Sequence, residues 1–289
     1  MAIIDTHNHL YFPGFKDVFD TTLAEAKKAG VDTQILIGID ELSNHAALNL
    51  AVKHRTFKVA LGLHPCDVDQ LGVFNAEHHQ YLGVDPHLRP KIYNRSLYFE
   101  WLDNLAAKNA DTVVAFGETG YDQYHRQSSA LLKLQTICFK EHLKLCLKHD
   151  KTLIIHSRGA REETLKFLEM HAEEFRQIRF VWHCFTEDLE AAQAVIDLDG
   201  YIGIGGVATY PKSDYLRDII KTLPLKHLLT ETDAPFLIPH QARKQKPKLN
   251  SPAFIPEIIK TIAEQKKIST NECEIQLFKN AQKAFNLKD

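Results

Sequence analysis

Short apolar runs alternate along the chain with longer segments whose apolar residues recur at the three- and four-residue spacing of a helix. Eight runs have the length and composition of β-strands: Ile3–Asp5, Gln34–Gly38, Lys58–Gly62, Val113–Gly117, Thr152–Ile155, Arg179–Trp182, Tyr201–Gly203 and His227–Thr230. Most are followed by a helical pattern, of which Ser129–His149 is the longest. Such alternation is typical of a parallel α/β sheet, and eight units favour a closed (β/α)8 TIM barrel. We therefore predict one domain over residues 1–289.

Two segments interrupt this alternation of strand and helix patterns. The first runs from Pro65 to about Ser96, contains glycines and prolines, and is predicted to be an extended loop with small elements of its own. His78 and His79 lie in it and are expected at the surface. The second, Pro235–Pro252, carries four basic residues: Arg243, Lys244, Lys246 and Lys248. Both segments are long enough to shape a substrate-binding surface.

Composition limits the class of protein. The chain has 289 residues and a formal net charge of −2, which argues against a large nucleic-acid-wrapping surface. No stretch approaches the roughly 18 apolar residues of a membrane span, so no membrane partner is expected. Five cysteines without a CxxC pair favour reduced thiols and a cytoplasmic location. Nothing in the composition implies an obligate protein partner.

Six metal-type side chains occur at, or just beyond, the ends of predicted strands: His7, His9, Glu118, His156, His183 and Asp233. A single histidine in such a place is more often a hydrogen-bonded structural residue than a ligand. Six together are different, because burying carboxylates beside four imidazoles is costly unless a cation holds them. In α/β barrels the carboxyl ends of the strands form the active-site face. The pattern therefore predicts a metal centre at that face.

Several separated motifs resemble those of the TatD-like family of metal-dependent deoxyribonucleases, within the amidohydrolase-like superfamily. They occur in the family's order and span nearly the whole chain: Asp5–His9, Gly62–Pro65, Gly117–Gly120, Ile155–Arg158, His183–Phe185, Glu231–Pro235 and Asn280–Phe285. The chain departs from the family pattern between His64 and Glu118, which is longer than expected. That departure puts the substrate in doubt and leaves the metal ligands unaffected.

The resemblance implies two divalent metal ions, with Zn²⁺, Mn²⁺ and Mg²⁺ all open. It implies that His7, His9 and Asp233 hold one ion, that His156 and His183 hold the other, and that Glu118 bridges them. Asp233 and Glu118 are then the catalytic carboxylates, with Asp233 accepting a proton from the metal-activated water.

Three residues are candidate substrate contacts: His64, Arg158 and Arg243. For His64 a structural turn before Pro65 is an equal alternative, and for Arg158 a surface ion pair is. Tyr121 and Tyr124 could stack on a base or pack in the core.

The leading expectation for function is hydrolysis of a phosphodiester in a DNA strand, from an end, or in a small phosphodiester. Two alternatives stay open: an amidohydrolase or lactonase acting on a small molecule, and an inactive metal-binding interaction module.

Overall fold

A computed structural model describes residues 2–73, 80–85 and 87–287. Its strands are β1 (Ile3–Asn8), β2 (Val31–Ile37), β3 (Phe57–Leu61), β4 (Val113–Asp122), β5 (Thr152–Arg158), β6 (Phe180–Trp182), β7 (Tyr201–Ile204) and β8 (Leu228–Thr230). Its helices are α1 (Phe19–Lys28), α2 (Glu41–Lys53), α3 (Arg95–Lys108), α4 (Ser129–His149), α5 (Arg161–Met170), α6 (Ala172–Phe175), α7 (Leu189–Asp197), α8 (Asp214–Thr222), α9 (Ile255–Lys266) and α10 (Thr270–Phe285).

The eight strands form one sheet in the order β1 to β8. The end of β1 also meets the segment after β8, where Asn8 and Ala234 form a parallel bridge and the Asp233 amide donates to the His7 carbonyl at 2.9 Å. Sequential strand order with the first strand returning to the last defines a (β/α)8 barrel. The predicted fold class is thereby confirmed, whereas the single-domain extent of residues 1–289 stays a prediction.

The chain packs as two compact units, each with its own core. The first consists of Met1–Leu10, Gly14–Ile35 and Trp182–Asp289, and the second of Tyr11–Pro13 and Leu36–Val181. In the first unit, α10 is tied to β8 by Asn280, whose side-chain amide donates to the carbonyls of Leu225 and Leu228. In the second unit the rings of Phe139 and Phe167 stack at 3.9 Å between centroids.

The segment from Pro65 to Ser96 differs in part from the prediction. Its described residues form turns up to Asn94, but α3 begins at Arg95 and was missed. The signal was present in the sequence, because Asn94 caps the helix and buried residues recur at Tyr98, Leu102 and Ala106. His78 and His79 lie outside the described residues.

The strands β1, β4 and β5 also run further than predicted, so that His7, Glu118 and His156 lie within them. The prediction ended β4 too early, at Gly117. Gly117 has φ +125°, and a Cβ there would lie 2.4 Å from the Ile154 carbonyl oxygen of β5. Only glycine permits this close approach, so the strand continues past it. Within the described residues no helix is long and apolar enough to cross a membrane.

Candidate metal centre

The first ligand group consists of His7, His9 and Asp233. Strand geometry sends the two histidines to the same side of the chain, because alternate residues share a face. The Nε2 atoms of His9 and His7 lie 3.4 and 3.7 Å from Asp233 Oδ1. Ligands about 2.0–2.2 Å from a tetrahedral ion lie roughly 3.3–3.6 Å apart. The spacing of these three side chains therefore fits a shared cation.

A buried carboxylate fixes the first ligand group in place. Asp5 Oδ1 accepts the amide of Thr232 at 3.0 Å, and Oδ2 accepts the Thr232 hydroxyl at 2.6 Å and the Asn8 side-chain amide at 3.1 Å. Burial raises the pKa of Asp5 to about 7, against the opposing effect of these hydrogen bonds. Asp5 thus joins β1 to the residue before Asp233, and the ligands on the two segments are held in register.

Asp233 has an uncommon backbone conformation, with φ +53°. A left-handed aspartate is sparsely populated and needs support from its surroundings. Here its amide donates to the His7 carbonyl, and its own carbonyl accepts the Phe236 amide at 2.8 Å. Burial raises the pKa of its carboxyl group, but the hydrogen bond from His9 and the charges of His7, His9 and His183 outweigh burial and hold that pKa below its ordinary value. Asp233 is therefore a carboxylate at neutral pH.

His183 lies directly after β6 and packs flat against His7, with ring centroids 4.0 Å apart. Its Nδ1 is 3.6 Å from Glu231 Oε1, and Glu231 also accepts the backbone amide of Cys184. His7, His183 and Glu231 can therefore also contribute to a cation site. Glu231 was not predicted to act here, although it stands two residues before Asp233 in a quoted motif.

The second ligand group consists of His64, Glu118 and His156, one residue after β3, one in β4 and one in β5. Glu118 Oε1 lies 2.7 Å from His156 Nδ1 and 3.2 Å from His64 Nε2. The β4–β5 pairing has a register shift between Phe116 and Thr119, and such an irregularity changes the direction in which the side chains of this part of β4 point. The shorter distance is that of a hydrogen bond, so a cation between Glu118 and His156 would replace a shared proton.

Hydrogen bonds define the orientation of His64. Its Nδ1 accepts the backbone amide of Cys66 at 3.1 Å, so in the neutral ring Nε2 carries the proton and donates to Glu118. Burial and the neighbouring His156 lower the pKa of His64. The ring therefore contacts both the turn at Pro65 and a candidate ligand, and its contact with a substrate stays a prediction.

Asp122 is a buried carboxylate that the sequence analysis missed. Its Oδ2 lies 3.2 Å from His156 Nε2, and Oδ1 accepts the backbone amides of Tyr124 and His125. Burial raises its pKa, but the hydrogen bonds from His156 and His125 prevail and lower the pKa well below the ordinary value. A carboxylate on the far nitrogen of a ligand histidine sets the ring's orientation. No local pattern marked Asp122 in the sequence, because the strand was predicted to end at Gly117 and not to continue to Asp122.

The other two predicted substrate contacts, Arg158 and Arg243, lie at the surface. Arg158 ends β5 with its guanidinium 4.2 Å from the centroid of the exposed Tyr124 ring. Arg243 lies 4.3 Å over the ring of Tyr210 and donates from Nε to the Ile238 carbonyl. Tyr121, by contrast, is buried against Phe139 and belongs to the core.

A profile of the TatD-related DNase family matches residues 4–286. The crystal structure of YjjV, a TatD homologue from Escherichia coli K12, superposes with a TM-score of 0.81 at 27% identity, over 99% of this chain and 98% of that one. The metal-dependent hydrolase YabD of Bacillus subtilis is 26% identical over 99% of both chains. A protein named deoxyribonuclease Tat-D from Schizosaccharomyces pombe is 30% identical over 80% of this chain and 67% of its own.

Proposed function

Because this chain belongs to the TatD-related DNase family, whose relatives include metal-dependent hydrolases, we propose that it hydrolyses phosphodiester bonds of a DNA strand, starting from an end. The observation that carries the proposal is the pair of ligand groups, His7–His9–Asp233 and His64–Glu118–His156. Their imidazole and carboxylate donors suit Zn²⁺ or Mn²⁺, and the carboxylates also suit Mg²⁺.

The donor chemistry of the first ligand group fits a bound divalent cation. When bound, such cations lower the pKa of a coordinated water and stabilise charge on the phosphate oxygens. Asp233 accepts the proton of the attacking water, since its carboxyl group is ionised at neutral pH and its Oδ1 lies within the group. The Nε2 atoms of His9 and His7 lie 3.4 and 3.7 Å from that same oxygen. We propose that all three are ligands of one cation.

The roles of the remaining predicted ligands follow from the family resemblance. We propose that Glu118 bridges two cations and that His156 and His183 hold the second. His64 would then position Glu118 through its Nε2–H, and Asp122 would position His156 through its own Oδ2. In this arrangement the ligand atom of His156 is Nδ1, because Nε2 faces Asp122.

DNA as the substrate is supported by two cationic surfaces. The Arg158–Tyr124 pair presents a guanidinium on an exposed ring, a combination that suits a phosphate next to an unpaired base. Arg243 and the exposed lysines 244, 246 and 248 lie on the segment that follows Asp233. With a net charge of −2, contact with a few nucleotides at a strand end is more consistent than extended duplex binding.

A panel of substrates tests the proposal. Metal-depleted protein would be reconstituted separately with Zn²⁺, Mn²⁺ and Mg²⁺, then assayed on end-labelled single-stranded DNA, a phosphomonoester, a lactone and an amide. We expect shortening of the labelled strand from one end and no turnover without metal. Efficient hydrolysis of the lactone or amide with intact DNA would replace the nuclease proposal by a small-molecule hydrolase. Metal binding without any turnover would indicate an interaction module.

A further inference from the structure

Three side chains with different ligand atoms meet beside the turn that follows β3. They are Cys66, Asp122 and His125, whose Sγ, carboxylate oxygen and Nδ1 all lie within 4.8 Å of one another. We propose that they form a separate binding site for a soft divalent cation such as Zn²⁺. None of them belongs to the first or second ligand group, and none was predicted as a ligand from the sequence.

The distances between the donor atoms fit a cation of this kind. His125 Nδ1 lies 2.8 Å from Asp122 Oδ2 and 4.0 Å from Cys66 Sγ. Zinc bound to sulfur at about 2.3 Å and to nitrogen and oxygen at about 2.0 Å would place sulfur and nitrogen roughly 3.5 Å apart and nitrogen and oxygen roughly 3.3 Å apart, each about 0.5 Å from the observed distance. Small rotations of the side chains are therefore enough to seat the ion, and a water would complete a tetrahedron.

The chemical step on binding is a proton release. The Cys66 S–H bond breaks, the sulfur binds the cation, and its proton passes to solvent, while His125 changes to the tautomer protonated at Nε2 so that the Nδ1 lone pair, no longer donating to Asp122, can bind the cation.

Hydrogen bonds from a neighbouring buried side chain fix the two segments that carry the three residues. The side-chain amide of the buried Gln135 donates to the carbonyls of Pro65 and Asp122, each at 3.1 Å, and so joins the two segments that carry the ligands. Asp122 is fully buried, whereas the side chain of His125 is 49% exposed. An ion can therefore reach the site from solvent past His125 and bind the Asp122 carboxylate and the Cys66 sulfur, whose positions are already fixed.

Titration of metal-free protein with Co²⁺ tests the site, because a cobalt–thiolate bond gives a charge-transfer absorption in the near ultraviolet that imidazole and carboxylate ligands do not give. We expect this band to saturate with one thiolate-bound ion per chain. Cys66→Ser should abolish it. Cys184→Ser is the matched control, because Cys184 is the other partly buried cysteine and its loss should leave the band unchanged.

A second variant separates ligation from an indirect effect on folding. His125→Ala changes an exposed side chain, and it should weaken Co²⁺ at the thiolate site roughly 10–100-fold or more, the range seen even for indirect partners of a metal. Persistence of the band in Cys66→Ser, or its absence from the wild-type protein, overturns the proposal. The readout needs no substrate, so its outcome is independent of the phosphodiester hydrolysis proposed above.

Discussion

At the scale of single residues, the candidate metal centre depends on carboxylates that hold other groups in one orientation. Asp5 binds the segment before Asp233, Glu231 faces His183, and Asp122 faces His156. Ligand-type residues could be predicted from the sequence because their side chains are costly to bury without a cation. Their supporting carboxylates could not, because a hydrogen bond between residues 34 apart leaves no local pattern in the chain.

Glu118 provides the most direct test of the proposed metal arrangement. If it bridges two ions, Glu118→Ala should lose metal at both positions, whereas His183→Ala should mainly empty one. Elemental analysis of protein purified in a Cys66→Ser background, which removes the separate site at Cys66, Asp122 and His125, measures this, with about two ions per chain expected when Glu118 is intact. Glu162→Ala is the control, since Glu162 is a carboxylate 81% exposed on α5. Wild-type metal content in Glu118→Ala would contradict the bridging role.

His142 gives a prediction for stability against pH. Its Nε2 accepts the Leu63 amide at 3.1 Å and its Nδ1 donates to the Cys138 carbonyl, so the buried ring is neutral. Burial lowers its pKa from 6.5 to about 4. Between these values the unfolded chain binds a proton that the folded chain does not, so stability falls as pH falls from 6.5 towards 4. The loss is at most about 3 kcal/mol.

Chemical denaturation at a series of pH values measures this loss. His142→Gln should be less stable at neutral pH, because the buried hydrogen bonds are imperfectly replaced, but its stability should depend less on pH between 6.5 and 4. His87→Gln, at an exposed position, should follow the wild-type curve. A His142→Gln curve parallel to that of the wild type would show that another group causes the acid sensitivity.

At the scale of elements, strands and helices were predicted well where the apolar period was unbroken and poorly where glycine or a polar cap intervened. Each helical pattern found in the sequence corresponds to one of the helices α1, α2, α4, α5 and α7 to α10, but α3 was missed, because it begins at the end of a predicted loop rich in prolines and glycines. The end of β4 was placed at Gly117, although the strand continues to Asp122. Close approach of the β5 backbone explains that glycine, and no single sequence shows such an approach.

The segment after β8 carries the prediction that belongs to this scale. Changing Arg243, Lys244, Lys246 and Lys248 together to glutamine should raise KM for oligonucleotides and flatten the dependence of KM on salt, because fewer counterions are released on binding. Metal content should not change, since none of the four is a candidate ligand.

A matched variant removes the same charge elsewhere. It changes four exposed lysines on helices: Lys27, Lys28, Lys260 and Lys279. Steady-state kinetics at several salt concentrations compares the two variants. An equal rise in KM for both would show that net charge alone, and not the segment after β8, attracts the substrate.

At the scale of the whole molecule, the fold class was predictable because eight strand–helix units permit few topologies. The number of units also favoured a closed barrel, although periodicity alone does not distinguish a barrel from an open sheet. Closure depends on contacts such as the His9 amide donating to the Ala234 carbonyl at 2.7 Å, between residues at opposite ends of the sequence. The division into two compact units could not be predicted from the sequence, because one of them is assembled from three separate stretches of chain.

That division has a consequence for protein synthesis. Apart from Tyr11–Pro13, the second unit is one continuous stretch, Leu36–Val181, whereas the first unit needs Trp182–Asp289 to join residues made at the very start. Chains emerge from the ribosome amino end first and fold as their parts become available. His7 and His9 must therefore wait for Asp233 before they can share a cation. Stalled nascent chains ending near residue 215 should already protect the second unit from protease while releasing fragments from residues 14–35, and protection of both units together at that length would contradict this order.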